Sequence, residues 1–374
     1  MRNNKHFRPT KAIIDLNAIK HNVCQLKKHI LPNVQIIAVV KANAYGHGDV
    51  EVAKAALDAG ASMLAVATPE EALHIRTYFP TTEILVLGYS PVSFATCAAK
   101  ENIILTVYSK EWVEQVKKHA LDKPLKLHIK VDSGMNRIGV TNVEEFLALY
   151  ESISTSEKLI VDGIFTHFAT ADEEDEYYFQ NQVNRFEKFM QVVPKKPRIV
   201  HVANTATSLI KDPRLQYDAV RFGISMYGLA PSEFVKSNLP FPLKPAFSLV
   251  TELVAIKKIY PGESVGYGAT FTVEEPTYIG TLPIGYADGL IRKYSGQDVL
   301  IDGQRVPIVG RICMDQCMIA LPTEYNLGEN VVLIGKQKNE EITIDEWAKK
   351  IDSINYEVPC IITSRVPRFY YKNE

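Results

Sequence analysis

Cysteine is scarce in this chain of 374 residues: the 5 present are Cys24, Cys97, Cys313, Cys317 and Cys360. They are too few and too scattered for a disulfide framework, which fits a reduced, cytoplasmic setting. Cys313 and Cys317 have no second Cys or His pair nearby, so neither zinc nor any other metal is expected. A charge excess is also lacking. The balance of 42 Lys+Arg against 43 Asp+Glu leaves a net charge of −1, which argues against a nucleic-acid binder. No apolar stretch approaches the ~20 residues of a membrane span. The charged N-terminus from Met1 to Pro9 lacks the apolar segment of a secretory signal. Gly and Pro, at 20 each, exclude collagen-like and disordered compositions.

What is present is ordinary for a globular protein: 46% hydrophobic and 23% charged residues. At roughly 150 residues per domain the length suggests two domains, although an α/β barrel can reach about 250 alone. The first two thirds alternate short Ile/Val/Leu-rich runs with amphipathic stretches, as buried parallel strands and their crossover helices do. Eight runs stand out: Ile36–Val40, Met63–Ala67, Ile84–Leu87, Ile103–Val107, Leu125–Val131, Leu159–Phe165, Ile199–Val202 and Ala219–Phe222. Asp49 to Gly60 reads as a helix with an Asp cap and a Gly stop. Tyr177 to Val193 reads as a helix burying Phe179, Val183, Phe186, Met190 and Val193. The acidic run Asp172–Glu176 before it reads as a solvated helix start.

This pattern predicts a (β/α)8 TIM-like barrel over residues 12–238, with an open doubly wound sheet as the rival. Pro231, Pro240, Pro242 and Pro245 then mark a linker. Short strands follow at Ser248–Ile259, Tyr278–Pro283, Val299–Ile301, Val306–Val309, Met318–Leu321 and Val331–Ile334, with one helix at Thr343–Ile351. Their Pro-Gly and Asp-Gly turns predict a mainly antiparallel β domain over 239–374. Residues 1–11, and the apolar run Lys11–Leu16, are candidates to pair with it.

In a barrel, functional groups gather where strands end. Lys41 abuts the first run, in Val-Val-Lys-Ala-Asn-Ala-Tyr-Gly-His-Gly, where desolvation would suit an amine to Schiff-base chemistry or a carboxylate could pair it. Gly46 and Gly48 after it allow a tight turn. Leu87 closes the third run. Arg137, His167 and Asn204 with Thr205 follow the fifth to seventh, and the eighth ends in Arg221-Phe with Gly223 and Ile224 after it. The loops after strands 7 and 8 are where barrels commonly hold phosphate.

These segments resemble alanine racemases, and the resemblance runs through nearly the whole chain. Besides the Lys41 motif it covers Val-Asp-Ser-Gly-Met-Asn-Arg-Ile-Gly, Thr-His-Phe-Ala-Thr-Ala-Asp, Arg-Phe-Gly-Ile-Ser-Met-Tyr-Gly, Val-Gly-Tyr-Gly-Ala-Thr-Phe, Pro-Ile-Gly-Tyr-Ala-Asp-Gly and Gly-Arg-Ile-Cys-Met-Asp-Gln. It implies a homodimer that uses pyridoxal 5′-phosphate, with Lys41 as the Schiff-base lysine and one catalytic base. Tyr267, from the partner subunit, would be the opposing base. Tyr45, Thr205, Gly223, Ile224 and Tyr356 would hold the cofactor phosphate, and Leu87 and Asn204 would line the cofactor. Arg221 would face the pyridine nitrogen, and His167 would link Arg221 towards Tyr267. Arg137 and the Met314 backbone would hold the substrate carboxylate. Asp172, Tyr286, Arg292, Cys313 and Asp315 would support the site or its entrance. Lys130 matches a position carbamylated in some members. The implied reaction is interconversion of L- and D-alanine for peptidoglycan, with no nucleic acid or membrane partner.

The residue types make chemical sense of that implication. Moving a proton from one face of Cα to the other calls for two groups on opposite faces. A guanidinium stays protonated at ordinary pH, so Arg221 donates to an unprotonated ring nitrogen and restricts side reactions. A decarboxylase on the same barrel would carry Glu at that position. Single-barrel proteins of cofactor homeostasis would lack the β domain.

Overall fold

The structure, a computed structural model, describes residues 6–372; residues 1–5 of the N-terminal segment and 373–374 lie outside the described residues. Contacts divide the chain into two units. One comprises residues 18–44 and 49–245; the other comprises 6–17, 45–48 and 246–372.

In chain order, β1 (Lys11–Asp15) precedes the eight strands of the first unit. These are β2 (Gln35–Val39), β3 (Met63–Val66), β4 (Glu83–Val86), β5 (Ile103–Val107), β6 (Leu125–Lys130), β7 (Leu159–Phe165), β8 (Ile199–His201) and β9 (Ala219–Phe222). Most are buried on both faces, which is why they read as continuous apolar runs. All pairs are parallel, in the order β8-β7-β6-β5-β4-β3-β2-β9. The first strand, β2, thus pairs with both the second and the last. A doubly wound sheet reverses its strand order instead, so the barrel reading holds. β8 and β9 close the ring by single bonds, Asp218 N to Val200 O at 3.0 Å and Arg221 N to Ala203 O at 2.9 Å. The buried Tyr227 hydroxyl donates to Val39 O at 2.8 Å, tying the chain after β9 to β2.

Several expected strands run one residue too far. Val40, Leu87 and Val131 lie beyond the strand ends, although their N–H groups still bond to Ala65, Val66 and Phe165. The expected helices form at Asp49–Asp58 and Tyr177–Gln191. In the second, Phe189 rather than Met190 or Val193 is buried, because its ring packs edge-on against Phe146 at 5.6 Å. The acidic run leads into this helix as expected: Glu176 is its N-cap residue, Asp175 Oδ1 accepts from Tyr177 N at 2.9 Å, and Glu173, Glu174, Asp175 and Glu176 are exposed.

The second unit is built on a sheet of ten strands. To β1 it adds β10 (Phe247–Glu252), β11 (Ala255–Ile259), β12 (Ser264–Val265), β13 (Phe271–Thr272), β14 (Thr277–Leu282), β15 (Asp298–Ile301), β16 (Gln304–Val309), β17 (Cys317–Leu321), β18 (Asn330–Gln337), β19 (Glu340–Ile342) and β20 (Arg368–Tyr371). β12 and β13 form a separate hairpin. β1 lies between β10, antiparallel, and β20, parallel. The expected single run Ser248–Ile259 is two strands: Leu253 N bonds to Glu329 O and Val254 N to Thr281 O, so the chain changes partner there. Asp302 and Gly303, both at positive φ, make the two-residue turn joining β15 to β16. A helix, Ile344–Lys350, opens on a Thr343/Glu346 capping box. No helix among the described residues is long and apolar enough to cross a membrane.

Trp347 of that helix is fully buried, with its ring 4.4 Å from that of Tyr294. Trp347→Ala should destabilise this unit by about 3–5 kcal/mol, read as a lowered urea midpoint followed by far-UV circular dichroism.

Candidate active site

Lys41 sits one residue past Val40, where the backbone changes hand. Ala42, Asn43 and Ala44 all have φ and ψ near +50°, and Tyr45 has φ +53°. Four non-glycine residues in a left-handed turn cost on the order of 1–2 kcal/mol each, and such strain persists only where the surroundings impose it. Here Ala44 N bonds to Val40 O at 2.9 Å, and Asn43 Oδ1 accepts from Asp49 N at 3.1 Å. Glu71 Oε1 accepts from Ala42 N at 2.7 Å, while its Oε2 accepts from Ala67 N at 2.7 Å. Glu71 is a site-shaping residue that the motif reading misses. Its signal is the capping-box spacing Thr68-x-x-Glu71.

The ends of β6 to β9 bring cations together. The Arg221 guanidinium is buried and donates from Nη1 to His201 O at 2.7 Å and His201 Nδ1 at 2.9 Å. Its Nη2 donates to Thr166 O at 2.8 Å, Val202 O at 3.0 Å and His167 Nδ1 at 3.2 Å. No carboxylate is among these acceptors. Burial, then the charge of Arg137, lowers the Arg221 pKa to about 9. Lys130 is buried with its ammonium 4.5 Å from the Phe165 ring centroid. Burial, then Arg221 and Arg137, hold its pKa well below the usual lysine range. His167 is likewise pushed down, by burial and then by Arg221, Lys130, Arg137 and Lys41. Five strand-end residues are thus electrostatic neighbours. Arg137 itself is exposed, on a loop that Asp132 Oδ1 shapes by accepting from Gly134 N and Asn136 N.

At the start of the helix Thr205–Ile210, Asn204 caps the first turn, its Oδ1 accepting from Thr207 N at 3.0 Å. The Thr205 hydroxyl accepts from Gly223 N at 3.0 Å, so this hydroxyl and the Gly223-Ile224 backbone adjoin. Leu87 directly follows β4, with its N–H on Val66 O. The Asp172 backbone carbonyl accepts from Ser232 Oγ at 2.6 Å.

The second unit carries its own set. Tyr45 and Tyr356 have ring centroids 6.1 Å apart, and burial, then Cys360, pushes the Tyr45 phenol up. Gly46, at φ +82°, has no room for a side chain, because a Cβ would lie 2.1 Å from Pro359 O. Tyr286 and Met314 are adjacent: Tyr286 N bonds to Cys313 O and Ala287 N to Met314 O, both at 3.0 Å. Asp315 pairs with Arg365 at 2.8 Å. Arg292 is exposed, in a single 3-10 turn. Tyr267 is 68% exposed, on the turn of the β12–β13 hairpin between Gly266 and Gly268, both at positive φ.

Family profiles described as "Alanine racemase, N-terminal domain" and "Alanine racemase, C-terminal domain" match residues 14–231 and 246–370. The chain belongs to the alanine racemase family. It is an isomerase of that class. Alanine racemase 1 of Bacillus subtilis (strain 168) is 50% identical over 370 residues, 98% of this chain and 94% of its own. The crystal structure of alanine racemase from Bacillus anthracis with bound L-Ala-P matches with a TM-score of 0.95 at 44% identity, over 99% of this chain and 96% of that one. A histidine racemase from Leuconostoc mesenteroides matches with a TM-score of 0.92 at 32% identity, over 99% and 100%.

In this alanine racemase fold the left-handed turn depends on Glu71. Glu71→Gln leaves one acceptor oxygen for Ala42 N and Ala67 N, which now bond to different oxygens. The Ala42 amide should exchange with deuterium about tenfold faster, the loss of one charge-assisted hydrogen bond.

Proposed function

We propose that the protein racemises alanine with pyridoxal 5′-phosphate as cofactor, in sites shared between two copies of the chain. The observation that carries this reading is the buried Arg221 guanidinium, which donates to carbonyls and histidine nitrogens and to no carboxylate, with Lys130, His167 and Arg137 close by. A guanidinium buried in this way makes the site positive and suits it to an anionic ligand. A phosphorylated aromatic aldehyde fits the donor set: a lysine to bond it, Thr205 with the Gly223-Ile224 backbone and the tyrosines Tyr45 and Tyr356 for its phosphate, and Arg221 for its ring nitrogen. When bound, the cofactor acidifies the substrate Cα–H by drawing electron density into its ring.

The chain's own residues then supply binding and proton transfer. Lys41 would hold the cofactor, and its Nζ would take or return the Cα proton on one face. The Tyr267 hydroxyl does so on the other face, and its exposure leaves it available to a partner subunit. Arg221 donates to the ring nitrogen and keeps a proton from settling there. His167 accepts from Arg221 and links it towards Tyr267. Arg137 and the Met314 backbone bind the substrate carboxylate, with Leu87 and Asn204 lining the cofactor. Tyr286, Arg292, Cys313, Asp315 and Asp172 support the entrance. Lys130, its pKa held down by burial and then by Arg221 and Arg137, is an amine able to take up carbon dioxide as a carbamate with release of a proton. That would place a negative charge between Arg221 and Arg137. D-Alanine made in the cytoplasm for peptidoglycan is the corresponding use.

The test mixes two inactive dimers. Removing a positioned acid or base costs roughly 10²–10⁴-fold, so Lys41→Ala and Tyr267→Phe should each abolish the loss of optical rotation of L-alanine. After equal amounts exchange subunits, about half the dimers are mixed and each regains one intact site, restoring about a quarter of wild-type activity. No recovery, with exchange confirmed by mass, contradicts the shared site. L-Histidine, run in parallel with the wild type, should not be racemised at a comparable rate.

A further inference from the structure

An unbroken line of side chains runs through the barrel from Arg221 towards the opposite strand ends, and the roles above use none of it beyond Arg221. Arg221 Nη1 lies 2.9 Å from His201 Nδ1. His201 Nε2 lies 2.9 Å from His128 Nδ1. His128 Nε2 lies 3.2 Å from Asp162 Oδ2. Asp162 accepts two bonds from Arg198, from Nε at 2.9 Å and from Nη2 at 2.7 Å. Arg198 and Lys126 both reach Glu83, at 2.9 and 2.7 Å, near the starts of their strands.

Chemistry allows only one direction along this line. A guanidinium only donates and a carboxylate only accepts. Asp162 therefore requires a proton on His128 Nε2, which leaves Nδ1 as an acceptor in the neutral ring. His201 must then donate from Nε2, which leaves its own Nδ1 to accept from Arg221. Every link points from cation to anion. A proton added to either ring would set N–H against N–H.

The backbone is shaped for this line. The β6–β7 register slips between Leu127↔Val161 and His128↔Gly163, so Asp162 is an extra residue on β7. Such a bulge re-aims a side chain, and here it turns Asp162 towards His128. The next residue has to be glycine, because a Cβ at Gly163 would lie 2.7 Å from the His128 ring. The His201 ring stacks on Phe165 at 4.6 Å and 12°.

We infer that His201, His128 and Asp162 are positioning residues, a one-way hydrogen-bond chain that holds the Arg221 guanidinium in place and sets which of its N–H groups are committed inward. Arg198 and Glu83 anchor the far end. The charged groups facing His128 are Asp162, Arg198 and Glu83, and those facing His201 are Arg221 and Lys130, besides His128 itself. Burial dominates for both rings and pushes their pKa values down. For Asp162, burial pushes upward, but the bonds from His128 and Arg198 outweigh it and hold the carboxyl well below its usual range. The line therefore keeps its direction through the neutral pH range.

The effect on racemisation rests on Arg221 facing the cofactor; the ring tautomers do not. Nitrogen-15 spectra of histidine-labelled holoenzyme should show an N–H···N coupling between two rings. Both should be neutral, protonated at Nε2 and invariant from about pH 5.5 to 9, where free histidine titrates. A ring protonated at Nδ1, or one that titrates, overturns the chain. His128→Phe keeps a ring but breaks the line; His128→Gln can accept from His201 and donate to Asp162. The Phe variant should lose about tenfold in kcat, as one charge-assisted bond to the guanidinium weakens, with KM nearly unchanged. Its bound-cofactor absorption should shift, and the Gln variant should recover most of both. Equal behaviour of the two variants, or no change in either, overturns the positioning role. Correct tautomers and lost kcat without any absorption change would instead count against the placement of Arg221 at the cofactor.

Discussion

A guanidinium buried at the mouth of a parallel barrel is the constraint on which the rest of this structure depends. Arg221 carries donors that need partners, and the strand ends supply carbonyls from Thr166, His201 and Val202. Carbonyls satisfy its hydrogen bonds but do not cancel its charge. Burial first, and then that charge with Lys130 close by, pushes down the neighbouring titratable groups, His167 and His201 among them. A site of this kind prefers neutral histidines, a nucleophilic lysine and an anionic occupant. The family chemistry asks for the same properties.

Strain is the second element. The left-handed turn after Lys41 places its amine at the start of an unfavourable backbone segment. Glu71, Asn43 and the Val40 carbonyl hold one side of that segment, and the close approach of Gly46 to Pro359 fixes the next. A relaxed loop would leave the lysine free to sample many positions. The over-determined turn restricts it, consistent with a base that acts on one face only.

The barrel was legible in the sequence because most strands are buried on both sides and so read as apolar runs bounded by turns. Its mouth was legible because Lys41, Arg137 and His167 each follow such a run and Arg221 lies near the end of one. Ends were less visible: Val40, Leu87 and Val131 are apolar and hydrogen-bonded, yet already outside the ladder. The partner change at Leu253-Val254 was hidden inside an unbroken β-rich run, since it alters which strand is paired and not which residues are apolar. The left-handed turn was also invisible, because Ala42-Asn43-Ala44-Tyr45 carries no glycine. His128, Asp162 and Gly163 lie within strands, where a sequence reading attends to the apolar residues around them. Only the bulge brings them into line.

The central claim is that a firmly held Arg221, a cation at neutral pH, keeps the reaction on racemisation. Its most direct test is the ratio of alanine racemised to keto acid released by Arg221→Glu, measured at saturating pyridoxal phosphate with bound cofactor verified by absorbance. A carboxylate would let the ring nitrogen keep a proton and deepen the electron sink. The account predicts slower racemisation and a clearly lower ratio than wild type. An unchanged ratio in a variant that holds its cofactor, or a variant that merely fails to hold it, would contradict the claim.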